Sequence, residues 1–559
     1  MTSRRTAAAL LGLALLLTSC SGEGDTRSGE VAQRTSVTMK SSEPASPSPS
    51  AASPGPTTDT PAPPRPARSS DDAGWGPTAE ELRRAERLAG RMPLAKLAGQ
   101  VIVAEYAGKQ APTGLVNKLH LGGVIVMSGN VGTTAQLRRS NKALQAAARE
   151  AGRDWPVFIG VDQEGGIVER VKGRATRYPA FMSAGAAHDT ELTERAAAGS
   201  GAELRDLGFS VVFAPDGDVT SGPDDPTIGS RSAGSRPKVV ARQMNAAVDG
   251  YLSAGILPVI KHFPGHGSVP ADSHKELPVQ DKTLRQLRES DLVPFEAGVS
   301  EGVPAVMAAH IDVRAVDPGT PSTLSRPVVT GLLRRDLGFH GLVVTDAMNM
   351  AAVADRHSSG EAAVRALLAG NDVVLMPPSP SAARDGIVRA VRSGRLTRSR
   401  LEQAAARQIA ALLHQGALEP ALTRKPGTSG RASYRLSAGA ATLASGACRG
   451  RLVGRSVRAY GPSDAVARFN AAAERAGLRT GSGTSVALIG YAGSGRSADV
   501  VVTLDTPYAL GSSRARVAKV AMYGDTPGAM KALVEVLLGK ARATGRLPVP
   551  VSGVQRTGC

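Results

Sequence analysis

The sequence predicts an α/β protein: a TIM (β/α)8 barrel followed by a smaller α/β sandwich domain. Three observations predict it. Between residues 76 and 405, eight short β-branched runs alternate with helix-forming stretches. Most of those runs are continuously apolar, as parallel strands buried on both faces must be. A polar linker follows, and then a shorter stretch repeats the strand–helix alternation. Eight even βα units suit a barrel better than the alternative, an open doubly wound sheet.

The segments follow in order. Arg4 and Arg5 precede the apolar run "AAALLGLALLL" at 7–17, which is too short to span a bilayer stably. Small residues then lead into Cys20. This pattern predicts a lipoprotein signal over 1–19, with cleavage before Cys20 and lipid on its sulfur; the competing reading is an ordinary signal peptide with an incidental cysteine. Residues 20–75, rich in Ser, Pro and Thr, cannot bury enough apolar surface to order themselves and are expected to form a tether.

The eight strands are expected at "QVIVAE" from Gln100, "GGVIVM" from Gly122, "PVFIGVD" from Pro156, "VVFAP" from Val211, "LPVIKH" from Leu257, "AVMAAH" from Ala305, "GLVVTD" from Gly341 and "DVVLM" from Asp372. The linker covers 406–430 and the second domain 431–559, where "SVALIGYAG", "ADVVVTLDTPY" and "RVAKVAMYG" read as strands. "GYAGSG" lacks the lysine and threonine of a phosphate loop and is read as a turn.

The formal charge is +18. It describes either a solvated basic surface or attraction to anionic wall polymers or lipid headgroups. Nucleic acid is not an expected partner: no binding motif is recognisable, aromatic residues make up 3% of the chain, and the leader implies export. Beyond Cys20 the cysteines are Cys448 and Cys559. Outside the cytoplasm they are expected to bridge, pinning the C-terminus to the start of the second domain; two free thiols are the alternative.

Polar residues gather at the predicted strand ends. Asp162 ends the third strand, Lys261 and His262 the fifth, His310 the sixth and Asp346 the seventh. Barrel chemistry collects at that face. Just beyond the fifth strand lies "KHFPGHGSVPADSH" (261–274). His262, His266, His274 and Asp272 offer metal-ligand atoms, yet their spacing lacks the paired histidines of a helical site, and no metal or cofactor is expected. Acid–base work fits better. Asp272 and His274, one residue apart, can bond so that the carboxylate fixes the imidazole tautomer and raises its basicity. Asp346 is then the candidate to attack a substrate, as in retaining glycoside hydrolysis.

Several segments together resemble glycoside hydrolase family 3, in its bacterial β-N-acetylglucosaminidase branch. They are "LGGVIVMSGN" (121–130), "VDQEGGIVERV" (161–171), "KHFPGHGSVPADSH" and "GFHGLVVTDAMNM" (338–350). "VVVTLDTPYAL" and "GRLPVPV" resemble the C-terminal domain of longer, Gram-positive-type members. The resemblance implies Asp346 as nucleophile and His274 as general acid then base, oriented by Asp272. It implies sugar binding by Asp162, Arg170, Arg231, Lys261 and His262. Glu164 is read as structural, and His266 as shaping its loop. The "DSH" element favours N-acetylglucosamine over glucose or xylose, since β-glucosidase members take their acid from a glutamate in the second domain.

The chain departs from the pattern in two places. Asp216 and Gly217 stand where relatives carry an apolar and a small residue, and "RSAG" replaces "RSFG". The implied substrates are N-acetylglucosamine-containing glycans or muropeptides, met outside the membrane by a lipid-anchored monomer. Phosphorolysis, a non-catalytic wall-binding role and a metal-dependent hydrolase are the competing readings.

Overall fold

The computed structural model describes residues 74–554 and 559. The expected signal, Cys20 and the tether up to residue 73 lie outside the described residues. Trp75, at the expected end of the tether, is 4% exposed and belongs to the core of the first region. None of the described helices is long and apolar enough to cross a membrane.

Nine short strands build the main sheet of the first region: β1 (Ile102–Ala104), β2 (Gly123–Val126), β3 (Phe158–Val161), β4 (Val211–Val212), β5 (Leu257–Pro258), β6 (Ile260–Phe263), β7 (Ala305–Ala308), β8 (Leu342–Thr345) and β9 (Val374–Leu375). All are buried on both faces, which is why the sequence reads as continuous apolar runs. Every pairing among them is parallel, in the orders β9-β1-β2-β3-β4-β5 and β8-β7-β6. β5 and β6 lie on one stretch, parted by Val259. A parallel bridge from Val344 to Val373 links β8 to the residue before β9, and another joins Asp216 to Lys261. The result is a curled parallel sheet with helices between its strands.

β4 is shorter than the run "VVFAP" suggests. Pro215 has no N–H to give a ladder, so pairing stops and resumes at Asp216. Glycine sets one close approach: a Cβ on Gly123 would lie 1.9 Å from the Phe158 carbonyl oxygen of the neighbouring strand.

The covering helices carry the expected signals. Asp189 caps Thr190–Asp206 by accepting from the Glu191 and Leu192 N–H groups, and Pro237 opens Pro237–Ser253. Helix Arg398–Ala417 continues into the stretch expected as linker from 406, because "AAARQIAALLHQ" keeps a buried apolar stripe.

Further α/β elements follow. A six-stranded sheet contains β10 (Thr442–Ser445), β11 (Ser456–Tyr460), β12 (Arg479–Thr480), β13 (Thr484–Ile489), β14 (Ser497–Thr503) and β15 (Arg514–Ala521), in the order β10-β15-β14-β13-β11-β12. β10 is antiparallel to β15; the other pairings are parallel. One face packs on helices Ser463–Arg475 and Pro527–Leu537. On the other, Ala487, Val501 and Tyr523 meet Met182 and Ala186 of the first region. Cys448 and Cys559 form a disulfide, with Cα atoms 5.4 Å apart.

Candidate active site

The polar residues lie where parallel strands end. Asp162 follows β3, Lys261 and His262 lie in β6, His310 follows β7, and Asp346 follows β8.

Two of these groups, Lys261 and Asp162, join Glu164, Arg231 and Arg170 in one network. Lys261, almost fully buried, places Nζ 3.0 Å from Asp162 Oδ1 and 2.6 Å from Glu164 Oε1. Arg231 grips Glu164 with two bonds, Nε to Oε2 at 2.9 Å and Nη2 to Oε1 at 3.0 Å. Burial opposes ionisation of Glu164, but the Arg231 and Lys261 charges outweigh it and hold the carboxyl below its ordinary range. Burial likewise opposes the Lys261 charge, and Glu164 and Asp162 restore it, raising its pKa. Arg170 Nη2 stands 3.9 Å from Asp162 Oδ2, at the exposed edge.

His262 is fixed from both sides. Its Nδ1 is 2.7 Å from Asp218 Oδ2, and Arg231 Nη2 is 3.2 Å from its Nε2. A guanidinium only donates, so Nε2 accepts and the ring proton sits on Nδ1, donated to Asp218. Asp218 Oδ1 also accepts the backbone N–H groups of His262 and His266, at 3.3 and 2.5 Å. Burial alone would raise Asp218, but His262 and these bonds lower it to about 2.

Asp216 lies in the same cluster. Its Oδ2 is 3.7 Å from both Arg231 Nη2 and His262 Nδ1, beyond hydrogen-bond reach, and its Oδ1 accepts the Asp218 N–H. Burial and the Asp218 charge push this carboxyl well above the ordinary range.

Asp216, Asp218 and His262 bring their potential metal-ligand atoms within 4.8 Å of one another. The donor set fits a cation poorly. His262 Nδ1 already donates to Asp218, and the Arg231 guanidinium occupies the adjacent space.

Asp346 is half-buried at its strand end. Its N–H donates to the Ala308 carbonyl, and its Oδ1 accepts the Ala347 N–H at 2.7 Å. Burial disfavours its charge, but the neighbouring His262 and His310 rings and the Ala347 bond outweigh that, so the carboxyl is held below its ordinary range. His310 Nε2 lies 3.0 Å from the Ala347 carbonyl, and Nδ1 is 2.8 Å from Thr323 Oγ1. Burial lowers its pKa and favours the neutral ring.

Asp272 and His274 sit on the loop after β6. Asp272 Oδ1 accepts from His274 Nδ1 at 2.8 Å and from the His274 N–H at 3.0 Å. Despite partial burial, those bonds lower the Asp272 pKa. The His274 side chain is 63% exposed, and its Nε2 makes no hydrogen bond among the described residues. Among the described residues neither member bonds Asp346, although the His274 charge acts on that carboxylate. His266 is buried, with Nε2 2.8 Å from Ser273 Oγ, and so ties the loop beneath the Asp272–His274 pair.

Sequence reasoning missed two partners, Asp218 and Asp505, and placed a third, His310, at a strand end without giving it a role. Asp218 sets the His262 tautomer, His310 flanks Asp346, and Asp505 of the second region accepts from Ser230 Oγ, next to Arg231. The strand-end position of His310 was a usable signal. The other two contacts join residues 44 and 275 positions apart.

Comparison with known proteins gives the family. The model of the glycosyl hydrolase family 3 N-terminal domain matches residues 94–411. β-Hexosaminidase A of Pseudoalteromonas piscicida is 37% identical over 279 residues, 47% of this chain, and the chain spans about half of that relative's length (47%). β-Hexosaminidase LpqI of Mycobacterium tuberculosis is 34% identical over 324 residues, covering 56% of this chain and 81% of that one. The solved family 3 β-N-acetylglucosaminidase from Paenibacillus sp. superimposes with a TM-score of 0.74 at 29% identity, covering 82% of this chain and 99% of that chain. With a family match across more than half its length and strand-end acids on a curled parallel sheet, the chain belongs to glycosyl hydrolase family 3.

Proposed function

We propose that the protein is a retaining exo-β-N-acetylglucosaminidase acting on the non-reducing end of peptidoglycan fragments or related oligosaccharides. The observation that carries this reading is the Asp272–His274 hydrogen bond on the same strand-end face as the half-buried Asp346, whose carboxyl is held below its ordinary range. The similarity to β-hexosaminidases supports the sugar.

In this reading the first region is a closed (β/α)8 barrel, and the elements beyond residue 430 are a second domain that braces it. Asp162, Arg170, Arg231, Lys261 and His262 hold the sugar hydroxyls. An Asp346 oxygen attacks the anomeric carbon as its bond to the leaving oxygen breaks. That oxygen takes the proton from His274 Nε2, and a glycosyl-aspartate forms. His274, now neutral, takes a proton from water as the water oxygen attacks the same carbon and frees Asp346. The exposure of His274 suits a group that must meet a leaving group open to solvent. A lipid on Cys20 would hold the enzyme, as a monomer, at the outer face of the cell membrane.

The test compares release of a chromogenic aglycone from the β-N-acetylglucosaminide and the β-glucoside, with and without phosphate. Preference for the N-acetyl sugar and release of free N-acetylglucosamine support the reading. Formation of the sugar 1-phosphate replaces it with phosphorolysis. A folded protein inactive on both sugars defeats it.

A further inference from the structure

His310 follows β7, is fully buried, and has both ring nitrogens engaged. Nε2 faces the Ala347 carbonyl at 3.0 Å. A carbonyl only accepts, so Nε2 carries a proton and donates it. Burial favours the neutral ring, which has one proton, so Nδ1 must accept. Its partner is the Thr323 hydroxyl at 2.8 Å. That hydroxyl also lies within reach of the Ala308 and Ala309 carbonyls, at 3.0 and 2.5 Å. Those carbonyls already accept from the Asp346 and Thr323 N–H groups, whereas Nδ1 has no other donor, so the hydroxyl proton serves the ring. Thr323 is anchored in turn, its carbonyl accepting from Asn371 Nδ2 at 2.7 Å.

Ala347 is held at both of its polar backbone groups. Its carbonyl accepts from His310 Nε2 and from the Met350 N–H, the latter at 3.1 Å. Its N–H donates to Asp346 Oδ1 at 2.7 Å. Met350 belongs to the same turn and moves with it. His310 stands at the end of the neighbouring strand and ties that turn to β7. The Ala347 N–H also separates the two carboxylate oxygens. Oδ1 is occupied, while Oδ2 makes no hydrogen bond among the described residues and stays accessible.

We infer that His310 is a positioning residue for the reaction: by holding Ala347 it keeps Asp346 Oδ1 occupied and presents Oδ2 as the oxygen that attacks. The inference rests on Asp346 being the nucleophile. In that step an electron pair of Oδ2 forms the bond to the anomeric carbon as the bond from that carbon to the leaving oxygen breaks. The leaving oxygen takes the proton from His274 Nε2. His310 gives up no proton. Its contribution is alignment, and a misplacement of about 1 Å can slow a reaction about a hundredfold.

The test uses the full chain and a chromogenic β-N-acetylglucosaminide, with kcat, KM and Tm read for each variant. A glutamine can set its Nε2 near the place of the imidazole Nε2 and donate to Ala347. An asparagine is shorter and reaches the Thr323 side alone. His310→Asn should lower kcat by about 30-fold or more with KM within about twofold. His310→Gln should recover kcat to within about threefold of wild type. Thr323→Val, which keeps the imidazole and removes its donor, should lower kcat by about three- to tenfold. Losses that follow Tm, with the asparagine and glutamine variants alike, would make His310 a core brace and overturn the inference. A change confined to KM, or an unchanged kcat in Thr323→Val, would overturn it too. A wild type inactive on this sugar defeats the proposed function and this inference with it. An active wild type, an inactive Asp346→Asn and a His310→Asn at wild-type kcat defeat this inference alone.

Discussion

The two α/β regions follow the same folding logic and differ in what stands at their strand ends. In the first, β3, β6, β7 and β8 lead into Asp162, Lys261, His262, His310 and Asp346. In the second, β13 leads into Gly490, and β14 leads through Leu504 to Asp505. Asp505 is buried and accepts from Ser230, one residue before Arg231. Burial raises its pKa, and the Ser230 bond works against that rise. A parallel sheet presents its strand ends as a platform, and the residues on the platform decide whether it hosts chemistry. The second region carries no comparable cluster among the described residues, yet it touches the site's arginine loop. It is therefore expected to affect binding more than the chemical step.

Substitutions can break or sharpen that contrast. The largest effect is expected at Asp346. Asp346→Asn should slow turnover by about 10⁴-fold or more while the fold persists, as removal of a nucleophile does. His274→Ala should slow it by about 10²- to 10⁴-fold, the range for loss of an acid–base group, and should remove the imidazole limb of the pH–rate profile. If either change altered only KM, the strand-end cluster would be a binding site, and the two regions would differ less than the geometry indicates.

Next comes the contact between regions. Asp505→Ala leaves the Ser230 hydroxyl without its acceptor and loosens the turn carrying Arg231. KM should rise about tenfold, near 1.4 kcal/mol, with turnover unchanged within about twofold. Asp505→Asn, which keeps an acceptor oxygen, should restore KM. If turnover instead fell by about a hundredfold or more, unrescued by asparagine, the second region would have a share in the chemistry.

The smallest effect is at Asp216. Its carboxyl is raised in the folded state, so the folded protein keeps that proton to higher pH than the unfolded chain does. Stability from this group is therefore present below the ordinary aspartate pKa and declines as pH rises through the raised value. Asp216→Asn, which cannot ionise, should raise Tm by about 2 °C at pH 8 and by less at pH 5. The opposite pH trend would mean that Arg231 and His262 stabilise the charged form.

Much of this was legible because periodicity reports burial. The eight apolar runs became strands since each is covered on both faces, and their polar ends mark one edge of the sheet. The Asp272–His274 bond was legible because it spans two residues of one loop. What the sequence concealed depends on pairings between distant strands. Nothing local says that Asp218 reaches His262, or that Glu164 joins Arg231 to Lys261. The end of β4 was misjudged because four β-compatible residues hid the fifth, Pro215, which cannot donate to a ladder. Asp505 was given no role from the sequence, and its contact with Ser230 follows from how the second sheet packs on helix Met182–Ala187.

The most direct measurement of the central claim is peptide mapping by mass spectrometry, after incubation with a slow-reacting fluorinated N-acetylglucosaminyl donor. The account predicts one added sugar on the peptide containing Asp346, formed at the rate of inactivation and missing in Asp346→Asn. A sugar on another carboxylate, or hydrolysis of the donor with inverted stereochemistry and no labelled protein, would contradict it.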